Sequence, residues 1–244
     1  MGSVFFKTIG MYFENFVFVL FSCLFALISL SLLPLVSTYI SGGAGFLRFS
    51  SLIFDLSLTE ILLLSLIFLV SLLLMSLFVV SVISIVKFKE TLDHIGFTKI
   101  ALSFARYVLK VFLFFIIISV VTIGLGTLLV FFNVPALLTQ VLILIIWAAF
   151  IFTPQIMVLE NFPLVVSMED SVKFIKEQPL SLFWYLLFGC ICLFLMTILE
   201  IYLAGYFTLM HKIITLLLTT FIFLPMLQIF AALLYVRRYG VARL

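Results

Sequence analysis

Six stretches of this chain are apolar over the length that a bilayer demands: Phe16–Tyr39, Ile61–Val86, Val108–Phe132, Leu137–Val158, Leu180–Ala204 and Ile213–Val236. An α-helix rises 1.5 Å per residue, so about 20 apolar residues cross the hydrocarbon layer. No polar/apolar alternation runs through these stretches, which argues against a barrel. Lipid leaves helices as the other way to satisfy every backbone N–H and C=O. The pattern therefore predicts an all-α fold, a polytopic bundle of six transmembrane helices.

A second pattern is laid over the first. Three short stretches, Phe6–Phe16, Phe88–Lys110 and Ser167–Gln178, carry charge on one face and each runs into a pair of apolar spans. The middle one is the clearest. Phe97, Ile100, Ala101, Phe104 and Val108 share one helical face, opposed by Lys99, Ser103, Arg106 and Lys110. That spacing predicts an amphipathic helix with a cationic face, with a bend at Gly96. In the third, Ser167 is the expected N-cap and Asp170 its capping-box partner. Pro179 then breaks the pattern, because it lacks an N–H and disfavours helix at Gln178, and it suits the first turn of span five. The expectation is one integral membrane domain over 1–244. It is built from three repeats of an interfacial amphipathic helix plus a transmembrane hairpin, at about 4–86, 87–158 and 163–236.

Composition supports this class. The chain is 66% hydrophobic and 9% charged, against about 25% charged in a soluble domain, so it cannot cover a water-facing surface. The net charge of +3 matters less than its placement. Eleven of the thirteen Lys and Arg fall on one side of the predicted topology, leaving Arg48 and Lys212 opposite. The positive-inside rule then puts both termini in the cytoplasm, in a multi-pass protein of the cytoplasmic membrane. On the outer side, Asn133-Val134-Pro135 is a tight hairpin. The glycine-rich loop around Gly42 and Gly43 has no phosphate-loop Lys-Ser/Thr after it.

Candidate chemistry is sparse. The two histidines, His94 and His211, fall on opposite predicted sides, and no Ser-His-Asp set, carboxylate pair or zinc-ligand repeat occurs. The sequence thus predicts no enzyme, no metal and no cofactor. Nucleic acid is not an expected partner, because the cations are few and hug the membrane. Cys190 and Cys192 are two apart, on nearly opposite sides of a helix, and read as packing residues. Gly124, Gly126 and Gly205 read as sites of close helix approach or of local bending.

Two features do invite a role. Lys87, Lys89, Lys99, Arg106, Lys110, Lys173 and Lys176 form a candidate surface for lipid headgroups, anionic ones among them, or for a membrane-protein partner or second copy. The simpler reading makes them snorkelling anchors of helices that orient the hairpins. Glu160, at the cytoplasmic end of span four, is an ionisable group at the membrane edge. It is expected to pair with Lys173, Lys176 or a cation of another repeat and so pin the third elbow, which comprises Pro154, Glu160, Ser167, Asp170, Ser171 and Pro179; a proton relay is the alternative role.

The run from Pro154 through Glu160 to Ser171, and then into span five, resembles the membrane domain associated with glycerophosphodiester phosphodiesterases and its stand-alone six-span bacterial and archaeal relatives. That family has more Ala and Arg before the Ser, where this chain has Met168-Glu169-Asp170. What the resemblance implies is a non-catalytic membrane module. Together the observations lead to an expected scaffold or accessory subunit whose cytoplasmic helices contact headgroups or a partner. The alternative is a transporter for a small or lipidic substrate, which would need a cavity between the hairpins.

Overall fold

The computed structural model describes residues 2–37, 58–91, 95–204 and 210–239, and among these there are helices and no strands. The loop around Gly42, together with Arg48, Asp55, Asp93, His94 and Gly205, lies outside the described residues. Helices follow as α1 (Gly2–Glu14), α2 (Phe16–Ser37), α3 (Leu58–Glu90) and α4 (Phe97–Ser103). A wide π turn at Phe104–Val108 joins α4 to α5 (Leu109–Phe131). Then come α6 (Ala136–Ala149), α7 (Thr153–Leu159), α8 (Leu164–Glu177) and α9 (Pro179–Ala204). The last are α10 (Met210–Leu218), a second π turn at Thr219–Phe223, and α11 (Leu224–Tyr239). Among the described residues, five helical runs are long and apolar enough to cross a membrane, or up to six if α1 and α2 count as one bent span.

Helix α3 is the axis of the bundle. It packs along α2 and also touches α4, α5, α7 and α11. Its residues Phe78–Lys87 are buried on every side, as are Thr153–Leu159 of α7 and Ile229–Tyr235 of α11. The tight core therefore sits at one end, the end that carries Lys87, Lys89, Glu160 and Arg237. At the opposite end, Leu62, Leu66, Phe194, Ile198 and Ile201 are exposed.

The three lead-in segments take three different forms. α1 meets α2 at 89° around Asn15, with Val4, Thr8, Met11 and Tyr12 buried against the bundle. Reciprocal ion pairs, Lys7–Glu90 at 2.7 Å and Lys89–Glu14 at 2.8 Å, strap α1 to the end of α3. The segment at Phe97 does not form a separate elbow. α4 continues through the π turn into α5 as one 35-residue run, because the wide turn adds a residue without ending the helix. Gly96 is its extended N-cap, at φ −148° and ψ 151°. The third segment stops at Gln178 (φ −133°, ψ 59°), and α9 starts on Pro179, as the missing N–H requires.

Two further details depart from expectation. Span four is not continuous: α6 ends at Ala149 and α7 starts at Thr153, with Pro154 in its first turn. Gly124 is not a close-approach site, since a Cβ there would meet open space. Gly126 is buried. The hairpin residue Asn133 takes φ 54°, and Asn161, just after α7, takes φ 58°; both use the tolerance of Asn for left-handed backbone.

Candidate functional site: the cation-bearing end

The break before Pro154 builds the third elbow. Pro154 cannot donate to the carbonyl of Phe150, and Thr153 N–H takes that carbonyl instead, at 3.1 Å. The Ala149 carbonyl thereby loses its helical donor. Ser171 Oγ supplies one from α8, at 3.0 Å and fully buried. Phe152 and Phe174 close the joint with ring centroids 4.8 Å apart, near edge-to-face. So Pro154 and Ser171 are two halves of one joint.

Ser167 does not cap this helix. The N-cap is Pro163, four residues before the expected cap Ser167, and no side chain caps it. The Pro163 carbonyl accepts both the Ser167 N–H and the Ser167 Oγ, each at 3.0 Å. Asp170 is consequently mid-helix, half-buried, and faces a cleft of about 280 Å³ with Glu160, Lys173, Tyr235 and Tyr239. Glu160 makes no ion pair with Lys173 or Lys176. Burial holds its carboxyl above the usual carboxylate range, the Lys87 ammonium pulls it back down, and the Asp170 carboxylate pushes it up again. Its cation comes from α3 and acts through space.

Lys87 is the largest correction to the expected surface. It is 2% exposed. Its Nζ donates to the Val158 carbonyl at 2.7 Å and to the Tyr107 hydroxyl at 3.2 Å, and it lies 5.3 Å from the Tyr107 ring centroid. Val158 is in the last turn of α7, where carbonyls lack helical donors and the helix dipole favours a cation. Those acceptors draw the ammonium inward.

The remaining cations divide by element. Lys99 and Arg106 share with Lys87 a groove of about 500 Å³ between the end of α3 and the α4–π-turn segment. Lys99 Nζ sits 5.8 Å from the Phe88 ring centroid. Lys110 lies 5.8 Å from the same Tyr107 ring that Lys87 approaches. Lys89 is engaged with Glu14, Lys173 lines the Glu160 cleft, and Lys176 is exposed on α8. The chain matches no family model, and no curated protein or solved structure matches it.

Three further contacts join residues far apart in the sequence. Ser29 and Ser71 bring their hydroxyl oxygens to 2.9 Å and each bonds the other's carbonyl, riveting α2 to α3. The side-chain amides of Gln155 and Gln228 meet at 3.0 Å. Tyr12 donates to the Phe221 carbonyl at 2.8 Å, inside the second π turn. A π turn lengthens the ladder to i→i+5 and leaves a carbonyl for an outside donor. Serines among Leu and Val were the one available hint, since small polar residues favour helix–helix contact in lipid.

Proposed function

We propose that this chain is a non-catalytic integral membrane scaffold or accessory subunit, whose cytoplasmic end engages anionic lipid headgroups. The observation that carries the reading is the gathering of Lys87, Lys99 and Arg106 on one groove, beside the tightest packing in the molecule. A rigid end bearing cations suits a platform at the membrane surface, where each Lys or Arg adds about 1 kcal/mol of attraction to an anionic leaflet. Three hairpin repeats with both termini cytoplasmic fit that placement. The resemblance to the phosphodiesterase-associated membrane domain points to the same kind of module.

The transporter reading draws less support. Between the helices stand Phe78, Phe114, Phe152 and Phe174, all fully buried. The polar pairs Ser29–Ser71 and Gln155–Gln228 are uncharged and bond each other. A coupled carrier usually places ionisable groups on its path.

The test uses the full chain purified in mild detergent. Lys99, Arg106, Lys110, Lys173 and Lys176 are replaced together by Gln, and co-purified lipid is measured by mass spectrometry. The expected result is loss of most anionic lipid relative to zwitterionic lipid. Unchanged lipid composition would reduce these side chains to anchors and end the platform reading.

A further inference from the structure

The groove between α3 and α4 has a charge problem at its floor. Lys87 is an ammonium with 2% exposure, held by one carbonyl and one phenol. Among the described residues no carboxylate lies within ion-pair distance of it. A buried charge without a contact counter-ion is strongly unfavourable. Lys87 acts on Glu160 only through space, while burial and the Asp170 carboxylate both oppose the charged form of that carboxyl.

The opening above Lys87 is lined by Lys99, Ser103, Arg106 and Tyr107, and no acidic side chain among the described residues lines it. Arg106 is exposed and makes no hydrogen bond or ion pair among the described residues. Three cations around one opening match a group with two negative charges better than one with a single charge. An arginine fork and ammonium groups are the side chains that recognise phosphate oxygens. The π turn lies at this place, and such turns recur at functional sites.

The groove also has an apolar exit. Leu102, Leu109 and Leu113 flank Arg106 at helical spacing and are 70%, 64% and 44% exposed. They run from the groove down the span. A soluble phosphate would make no use of them, whereas an acyl chain would lie along them.

We propose that this groove binds one phospholipid with a terminal phosphomonoester headgroup, its phosphate between Lys99 and Arg106 above Lys87, and an acyl chain along Leu102, Leu109 and Leu113. This deepens the platform reading above and rests on it for the membrane placement of the groove. A choline-bearing headgroup would bring a further cation to an opening already lined by Lys87, Lys99 and Arg106. A glycerol phosphodiester would offer only one charge.

The test titrates the purified full chain with dioleoyl phosphatidic acid, phosphatidylglycerol and phosphatidylcholine, and reads bound lipid by native mass spectrometry. One phosphatidic acid should bind at least about tenfold more tightly than phosphatidylglycerol, and R106Q should lose about tenfold of that affinity at unchanged thermal midpoint. K212Q, at the other end, should bind as the parent does. Equal affinity for the two anionic lipids, or no effect of R106Q, overturns the site. Displacement of the lipid by glycerol 3-phosphate or inorganic phosphate at matched concentration assigns the groove to a soluble phosphate and also overturns it. If the five-cation variant loses anionic lipid while R106Q does not, the platform reading survives and the specific site falls.

Discussion

Helix α3 contains two apolar halves of opposite fate. Leu62, Leu63, Leu66 and Leu69 are exposed, while Phe78–Lys87 is buried on all sides. The open half is rich in Leu. The buried half is Val79, Val80, Val82, Ile83, Ile85 and Val86, interleaved with Ser76, Ser81 and Ser84. Apolar side chains gain nothing by leaving lipid for protein, so burial here follows shape. β-Branched residues are already restricted at χ1 and lose little entropy on packing. Serines let backbones approach, and Ser76 and Ser81 hide their hydroxyls by donating to Leu72 and Leu77 carbonyls at 2.7 Å. In a membrane protein, then, residue shape rather than hydropathy marks the core.

The same contrast divides the whole bundle, whose packed half carries Phe152 and whose open half carries Ile198. Phe152→Ala removes a fully buried ring that touches Phe174 and Tyr185. Cavity formation should cost at least about 2 kcal/mol, below the ~3–5 of a water-soluble core because transfer from lipid contributes little. Ile198→Ala in the open half should cost under about 1 kcal/mol, because lipid fills the space. Unfolding in mixed micelles measures both, and equal losses would erase the distinction between the halves.

Next in size is the joint at Pro154. Ser171→Ala leaves the Ala149 carbonyl without its donor, which should cost about 1–3 kcal/mol. Pro154→Ala restores an N–H for Phe150, frees that of Thr153 for Ala149, and should recover most of the loss. A double-mutant cycle with no coupling would refute the link between the two residues.

Tyr12→Phe is expected to cost about 0.5–1.5 kcal/mol through the Phe221 carbonyl, a loss specific to the packed end. A neutral result would mean that the π turn satisfies that carbonyl by itself.

The smallest effect should be a pH dependence from Glu160. Its folded pKa is raised, so the folded state holds the proton more tightly than the unfolded one. That stability is present below the ordinary carboxylate pKa and is lost as pH rises through the raised value. Thermal midpoints of the parent should fall across this window more than those of Glu160→Gln. Parallel curves would show that Lys87 fully offsets the burial.

The existence of long apolar helices was legible because a 20-residue apolar run has few other uses, and the stop at Gln178-Pro179 was legible because proline removes a specific N–H. The internal order was not. Lys87 read as a surface cation because sequence shows a charge beside a span and hides the Val158 carbonyl that draws it in. Ser167 read as a cap because its spacing to Asp170 fits, while Pro163 begins the helix earlier. The cationic segment at Phe97 read as a free elbow, since no composition distinguishes a π turn from an α turn. Of the proposed groove, Lys99 and Arg106 were visible as a pair, and its floor and apolar exit were not.

The joint between Ala149 and Ser171 also has a direction in time. Its acceptor leaves the ribosome 22 residues ahead of its donor. The hairpin of α5 to α7 is therefore synthesised with a backbone group whose partner does not yet exist, and it is completed by the segment that follows. Nascent chains arrested before Ser171 should leave a cysteine placed at Ile151 open to labelling, and chains extended past Glu177 should close it. Equal labelling at both lengths would mean that the hinge sets without α8.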